Sequence, residues 1–232
     1  MTTEQGSAEP CSVKLQNSKG IIFDFDGTLY DTALLPLRLI AAYPPDMFRI
    51  RNERIVRKEF AACDYASSEE YYRAFFASLG KACRLSPEQM RSWYFERYMP
   101  RMIRVLKKHY KPRPGVKELF LLFCPTRAAG KTLKKIAVYS DYPLLKERLK
   151  ALDINTGVIR LYGPESFGAQ KPAPRPFLQI AGDLGLAPAE TLVVGDREDT
   201  DGLGALGAGM RFYCCSKADE WNNLIKLLLE KT

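Results

Sequence analysis

The feature that most limits the fold is a repeated pattern of short apolar runs, each separated from the next by a helix-like segment. Ile21 to Phe23 runs into Asp24, Ile136 to Tyr139 into Ser140, and Thr191 to Gly195 into Asp196. Val158 to Tyr162 and Met210 to Cys214 are two further runs of strand length. Runs this short, bounded by turn residues, suit strands buried on both faces. Between and after them, Pro143 to Leu152, Arg175 to Leu184, Gly202 to Ala208 and Glu220 to Leu229 read as helices. Strands alternating with helices predict an α/β fold, a Rossmann-like doubly wound parallel sheet covered on both sides. At 232 residues the chain can build one sizeable core, or a core plus an insert.

The insert is expected straight after the first strand, where the texture turns helical. Leu34 to Tyr43 is stopped by Pro44-Pro45, and Asp46 is an N-cap candidate for a helix reaching Ala62. Ser67 opens a run to Leu79, with Gly80 as a C-cap, and Ser86-Pro87-Glu88 is a strong helix start. From there one helix, rich in packing aromatics, runs toward His109, which is placed to meet the last carbonyls. Lys111 to Gly115 reads as a hinge-like linker, and a helix from Val116 follows, interrupted by Pro125 with Gly130 further on. The expected layout is a disordered lead-in at 1–18, an α/β core from 19–31 and 113–232, and an all-helical cap at 32–112.

Charge is distributed unevenly over this layout. The formal net charge is +8, and the stretch from Asp31 to Pro112 holds 16 Lys and Arg against 9 Asp and Glu. That could draw anionic ligands, nucleic acid or an acidic partner, although a charge run is more often a solvated helix face. No aromatic-interleaved nucleic-acid motif accompanies it. The six cysteines form no Cys-x-x-Cys pair and His109 is the only histidine, so a zinc site of the usual spacing is excluded. With no apolar run near the ~20 residues of a membrane span and a polar N-terminus, reduced thiols and a cytoplasmic location are expected. The Cys214-Cys215 pair reads as small packing residues.

The polar residues gather where such a fold puts its ligands, beyond the carboxyl ends of the strands. Asp24, Asp26, Ser140, Lys171, Asp196 and Asp201 would all reach one rim. Asp24 and Asp26, two apart, can face the same spot while the chain stays extended. Such a pair needs a cation, a shared proton or a reaction, unless it is simply a solvated acidic turn. Several carboxylates without histidine suit a hard cation, Mg²⁺ first, and a Lys with a Ser suits phosphate oxygens. A carboxylate can attack phosphorus, and Asp26 is placed to protonate the leaving oxygen and then to activate water. Mg²⁺ and Lys171 would offset the charge gained by the transferring group.

From about residue 20 to 215 the chain resembles the haloacid dehalogenase (HAD) superfamily of phosphohydrolases, specifically its phosphoglycolate-phosphatase-like branch. The resemblance rests on Asp-Phe-Asp-Gly-Thr (24–28), Val-Tyr-Ser-Asp (138–141), Gln-Lys-Pro-Ala-Pro-Arg-Pro-Phe (170–177) and Gly-Asp-Arg-Glu-Asp-Thr-Asp (195–201). It implies Asp24 as nucleophile and Mg²⁺ ligand, and Asp26 as acid and base with its backbone carbonyl on the metal. It implies Ser140 and Lys171 as phosphate-binding, Asp196 as a metal ligand and Asp201 as support for the metal shell. The helical insert is similar to the family's C1-type cap. Asp26 argues against dehalogenase chemistry, and Thr28, where phosphomutases often carry Val, tilts toward a phosphatase of a small phosphorylated metabolite. A phosphotransferase or phosphomutase is the alternative enzyme, and a non-catalytic protein binding through its basic cap is the alternative of another class. The basic cap also suggests a substrate with additional negative charge, with Arg97, Arg101 and Arg104 as candidate contacts.

Overall fold

The fold is described from a computed structural model covering Leu15 and residues 18–122, 135–157 and 159–230. Most of the expected lead-in, with Cys11, Cys124, Pro125, Gly130 and Val158, lies outside the described residues. Five strands form one parallel sheet: β1 (Gly20–Asp24), β2 (Lys135–Tyr139), β3 (Arg160–Tyr162), β4 (Thr191–Gly195) and β5 (Arg211–Cys214). Their spatial order is β3-β2-β1-β4-β5, with Ile21 opposite both Ile136 and Leu192. Alternate residues of each strand serve opposite faces, as the pleat requires. Ile21, Phe23, Val138 and Val194 enter one hydrophobic cluster, whereas Ile22, Ala137, Tyr139 and Val193 enter the other. Successive strands run outward from β1 in opposite directions, so its carboxyl end is the switch point where such sheets bind ligands.

The insert after β1 is helical, as expected, and forms the cap. It contains α1 (Leu35–Ala42), α2 (Met47–Glu59), α3 (Ser68–Cys83), α4 (Pro87–Ser92) and α5 (Met99–His109). The sequence pattern predicts one helix through α4 and α5, but a wider turn over Trp93–Tyr98 joins them. Pro100 explains it. Pro100 has no N–H for Glu96, and the Met99 N–H reaches back five residues, to Tyr94. Ser67 caps α3 through the Glu70 N–H, and Ser86 forms a capping box with Gln89.

Three expectations for the cap fail for identifiable reasons. Asp46 makes no capping bond; it is buried and accepts from Arg49 at 2.8 Å and Arg101 at 2.6 Å. Arg101 is therefore spent inside the cap and is no candidate for substrate, while Arg97 and Arg104 remain exposed. Gly80 lies inside α3, not at its end; a Cβ there would come within 2.7 Å of the Leu85 carbonyl oxygen. Arg84, in the left-handed conformation, ends the helix instead.

The remaining helices are α6 (Val116–Leu122), α7 (Leu145–Ala151), α8 (Pro164–Phe167), α9 (Pro174–Asp183), α10 (Leu203–Gly207) and α11 (Ala218–Glu230). The chain leaves for the cap and returns from it side by side, Tyr30 bridging Pro112 and Arg113 N–H donating to Leu29 O. A second junction lies at the far end of α2. Ala62 N–H donates to Lys171 O, Gln170 N–H to Cys63 O and Tyr65 N–H to Gly168 O, each at 3.0–3.1 Å. Arg175 reinforces it through Asp64 and the Tyr65 carbonyl. One hydrophobic cluster runs from the sheet into the cap, taking in Phe23, Leu39, Phe75 and Tyr94. The described cysteines, Cys63, Cys83, Cys214 and Cys215, are all free thiols, and Cys215 is fully buried. No helix among the described residues is long and apolar enough to cross a membrane.

Candidate active site

Asp24 closes the central strand with its carboxylate buried. One oxygen accepts from Lys171 Nζ at 2.5 Å and the other from the Thr28 hydroxyl at 2.8 Å. Lys171 Nζ also donates to Asp201 at 2.7 Å and to the Tyr139 carbonyl at 3.3 Å. Burial would discharge this ammonium, but Asp201, Asp24 and Asp141 outweigh it and hold Lys171 firmly protonated. Burial raises Asp24 well above the usual carboxylate range; Asp201, Asp196 and Asp26 push the same way and Lys171 opposes them. Burial and then Asp201 lift Asp196 to about 6.

Asp26 belongs to a second group. Its Oδ2 accepts from Ser140 Oγ at 3.0 Å, and its Oδ1 accepts from Tyr30 OH at 2.6 Å and from Arg148 Nη2. Burial alone would raise this carboxyl, but Arg148's charge and the bonds from Arg148, Tyr30 and Ser140 hold it below its ordinary value. The strand ends at Asp24, so the alternation that would point both carboxylates at one spot no longer applies. Only Asp24 joins Asp196 and Asp201, whose carboxylate oxygens lie within 4.8 Å of one another.

Asp24 and Asp201 share the Lys171 ammonium, and the half-buried Asp196 adds a third carboxylate beside them with no ammonium of its own. Clustered hard oxygen donors with this imbalance fit a divalent cation such as Mg²⁺. Gly27 keeps the cluster tight. Its φ is +91°, and a Cβ would stand 2.1 Å from Asp196 Oδ2. Gly27→Ala is therefore expected to push Asp196 aside and weaken apparent Mg²⁺ affinity by about 10–100-fold. A Mg²⁺ titration of activity, with circular dichroism to verify the fold, measures this; an unchanged half-saturation point would refute it.

Residues 18–209 match the haloacid dehalogenase-like hydrolase family. The chain belongs to that family. Phosphoglycolate phosphatase of Salmonella typhimurium is 28% identical over 212 residues, covering 84% of this chain and 80% of its own length. Among solved structures, 2-haloacid dehalogenase from Pseudomonas syringae pv. Tomato superposes with a TM-score of 0.59 at 19% identity, over 93% of this chain and all of its own. A hydrolase from Pseudomonas syringae gives 0.54 at 22% identity, over 88% and 90%. At these identities the structures establish the fold alone.

In this HAD-like hydrolase the residues expected at the rim are present but partitioned. Asp24, Lys171, Asp196 and Asp201 meet; Asp26 and Ser140 meet each other beside Arg148. Sequence reasoning missed Arg148 and Tyr30. Arg148 sits in Leu-Lys-Glu-Arg-Leu-Lys-Ala, whose Lys146, Glu147 and Lys150 are exposed, so no local signal separates it from a surface cation. Tyr30 lies two residues beyond the first motif, and its part is shown by the hydroxyl bond to Asp26.

Proposed function

We propose that this hydrolase is a Mg²⁺-dependent phosphomonoesterase for a small phosphorylated metabolite, with Asp24 as nucleophile and Asp26 as acid and base. The observation that carries this reading is the Asp24 carboxylate, buried at the end of the central strand between Lys171 and Thr28. In the first half-reaction an Asp24 oxygen bonds to phosphorus, the bond to the leaving oxygen breaks, and that oxygen takes a proton from Asp26. In the second, water attacks phosphorus and gives a proton to Asp26, and the bond to Asp24 breaks to release phosphate. Lys171 and the Ser140 hydroxyl bind phosphoryl oxygens as their charge grows. Mg²⁺, when bound, would be held by Asp24, Asp196 and the Asp26 carbonyl with Asp201 behind them, and would supply further neutralisation of charge.

Other features support the setting. The pairing of Tyr30 with Pro112 favours a cap spanning 32–112 on a core of 19–31 and 113–232. The name of the Salmonella relative makes a short phosphorylated carboxylic acid the first substrate to try, and reduced thiols suit a cytoplasmic enzyme. The test is phosphate release from a panel of phosphomonoesters, with Mg²⁺ and with chelator. The expected result is turnover with Mg²⁺ that chelator abolishes. Phosphoryl transfer to a sugar hydroxyl without phosphate release would replace hydrolysis with a phosphotransferase reaction. No reaction with any ester by folded protein would overturn the reading.

A further inference from the structure

Arg148 is the largest cation wholly inside the described fold, with no exposed surface. Its guanidinium bonds the Asp26 carboxylate through Nη2, and through Nη1 it donates to Ser140 Oγ at 2.9 Å and to the Tyr142 carbonyl at 3.3 Å. The group stacks over Phe25 at 4.6 Å and Tyr142 at 5.4 Å, which leaves it one orientation. Its Nε, also buried, has no hydrogen-bond partner. As packing this is a poor choice, because a buried ion pair is often no better than apolar residues of equal volume, and the idle N–H adds a cost. What the fork does achieve is geometric. It braces a side chain from the loop after β1 against one just past the end of β2, closing a triangle with the Ser140–Asp26 hydrogen bond.

We infer that Arg148 is a positioning residue that sets Asp26 and Ser140 in register, so that the acid/base group and the phosphate-binding hydroxyl address the same phosphoryl ester. The inference rests on the roles proposed above for those two residues. Arg148 cannot touch substrate itself, so its effect must pass through them. A planar fork serves this purpose and a lysine, with its single ammonium, does not.

The experiment is a double-mutant cycle on kcat with Asp26→Asn, Arg148→Met and the double variant, and with Arg148→Lys as a folded substitute that keeps the charge. Two substrates are used, p-nitrophenyl phosphate and an alkyl phosphomonoester, and thermal melts accompany each protein. Arg148→Met is expected to lower kcat on the alkyl ester by about 10²-fold, the low end for losing acid–base assistance, with KM within about three-fold. The loss should be smaller on p-nitrophenyl phosphate, whose leaving group needs no proton. The double variant should fall no further than Asp26→Asn alone, and Arg148→Lys should share the same dependence on the leaving group. Losses that multiply in the double variant, or that fall equally on both esters, would overturn the inference. Should Arg148→Met not fold, the same cycle with Arg148→Lys decides. An Asp26→Asn enzyme with full activity would instead remove the acid/base reading, and the inference with it.

Discussion

Asp24→Asn is expected to reduce phosphate release by a factor on the order of 10⁴ or more, the scale seen when a nucleophile is removed. Asparagine keeps the shape and the Thr28 bond but offers no anionic oxygen to phosphorus. The fold should not suffer. The folded pKa of Asp24 is raised above its unfolded value, so this carboxyl contributes stability at low pH and loses it as pH rises through the folded pKa. At neutral pH without a cation its charge is a burden that asparagine removes, and the melting temperature should hold or rise. Added Mg²⁺ should then stabilise the wild type more than the variant. A variant that unfolds would contradict the stability expectation, and a folded one that retains more than a few per cent of turnover would be inconsistent with Asp24 as nucleophile.

Arg57→Met is expected to be the most destabilising single change outside the site. Arg57 and Glu53 form an ion pair one helical turn apart in α2, both buried, with Nε to Oε1 at 2.7 Å. The guanidinium also donates to Tyr94 OH and to the Asp141 carbonyl, each at 2.8 Å, and lies 4.0 Å over the Tyr142 ring. It thereby joins the cap to the loop that follows Ser140. Burial would lower its pKa, but Glu53 outweighs this, followed by the surrounding tyrosines, and keeps it charged. Removing it strands the Glu53 carboxylate, whose other partner is Tyr98 OH at 3.5 Å. Breaking a buried pair in this way costs about 3–5 kcal/mol. At about 2–4 °C per kcal/mol for a chain of this size, the melting temperature should fall by roughly 6–20 °C. Adding Glu53→Gln should recover part of the loss, because the stranded charge goes with it. A fall of under about 2 °C would show that water reaches the pair.

These residues also show what the sequence could convey. The strands were legible because burial on both faces demands unbroken apolar runs. Asp24, Lys171, Asp196 and Asp201 were legible because each sits at, or in the loop beyond, a strand's carboxyl end. Asp26 was legible as a residue but not in its orientation, since its direction depends on how the chain turns once β1 has ended. Arg57, Arg101 and Arg148 were out of reach. Each lies on a helix among exposed cations, and what buries it is a carboxylate 4, 55 or 122 positions away. Pro100 did carry a readable signal, a missing donor within a helical pattern, and it marks the wider turn before α5.

The junction between residues 62–65 and 168–171 bears on how substrate could enter. Three amide bonds fasten a stretch of cap backbone to the loop whose side chain supplies Lys171. Any movement that lifts that stretch must break those bonds or drag the lysine's own backbone along. Access to Asp24 past that stretch and the placement of the lysine beside it are thus coupled through the same bonds. A gap wide enough to admit bulk water would also unsettle the ammonium that balances Asp24 and Asp201. For the nucleophile proposed above, wider exposure to solvent and displacement of its counter-charge would come together.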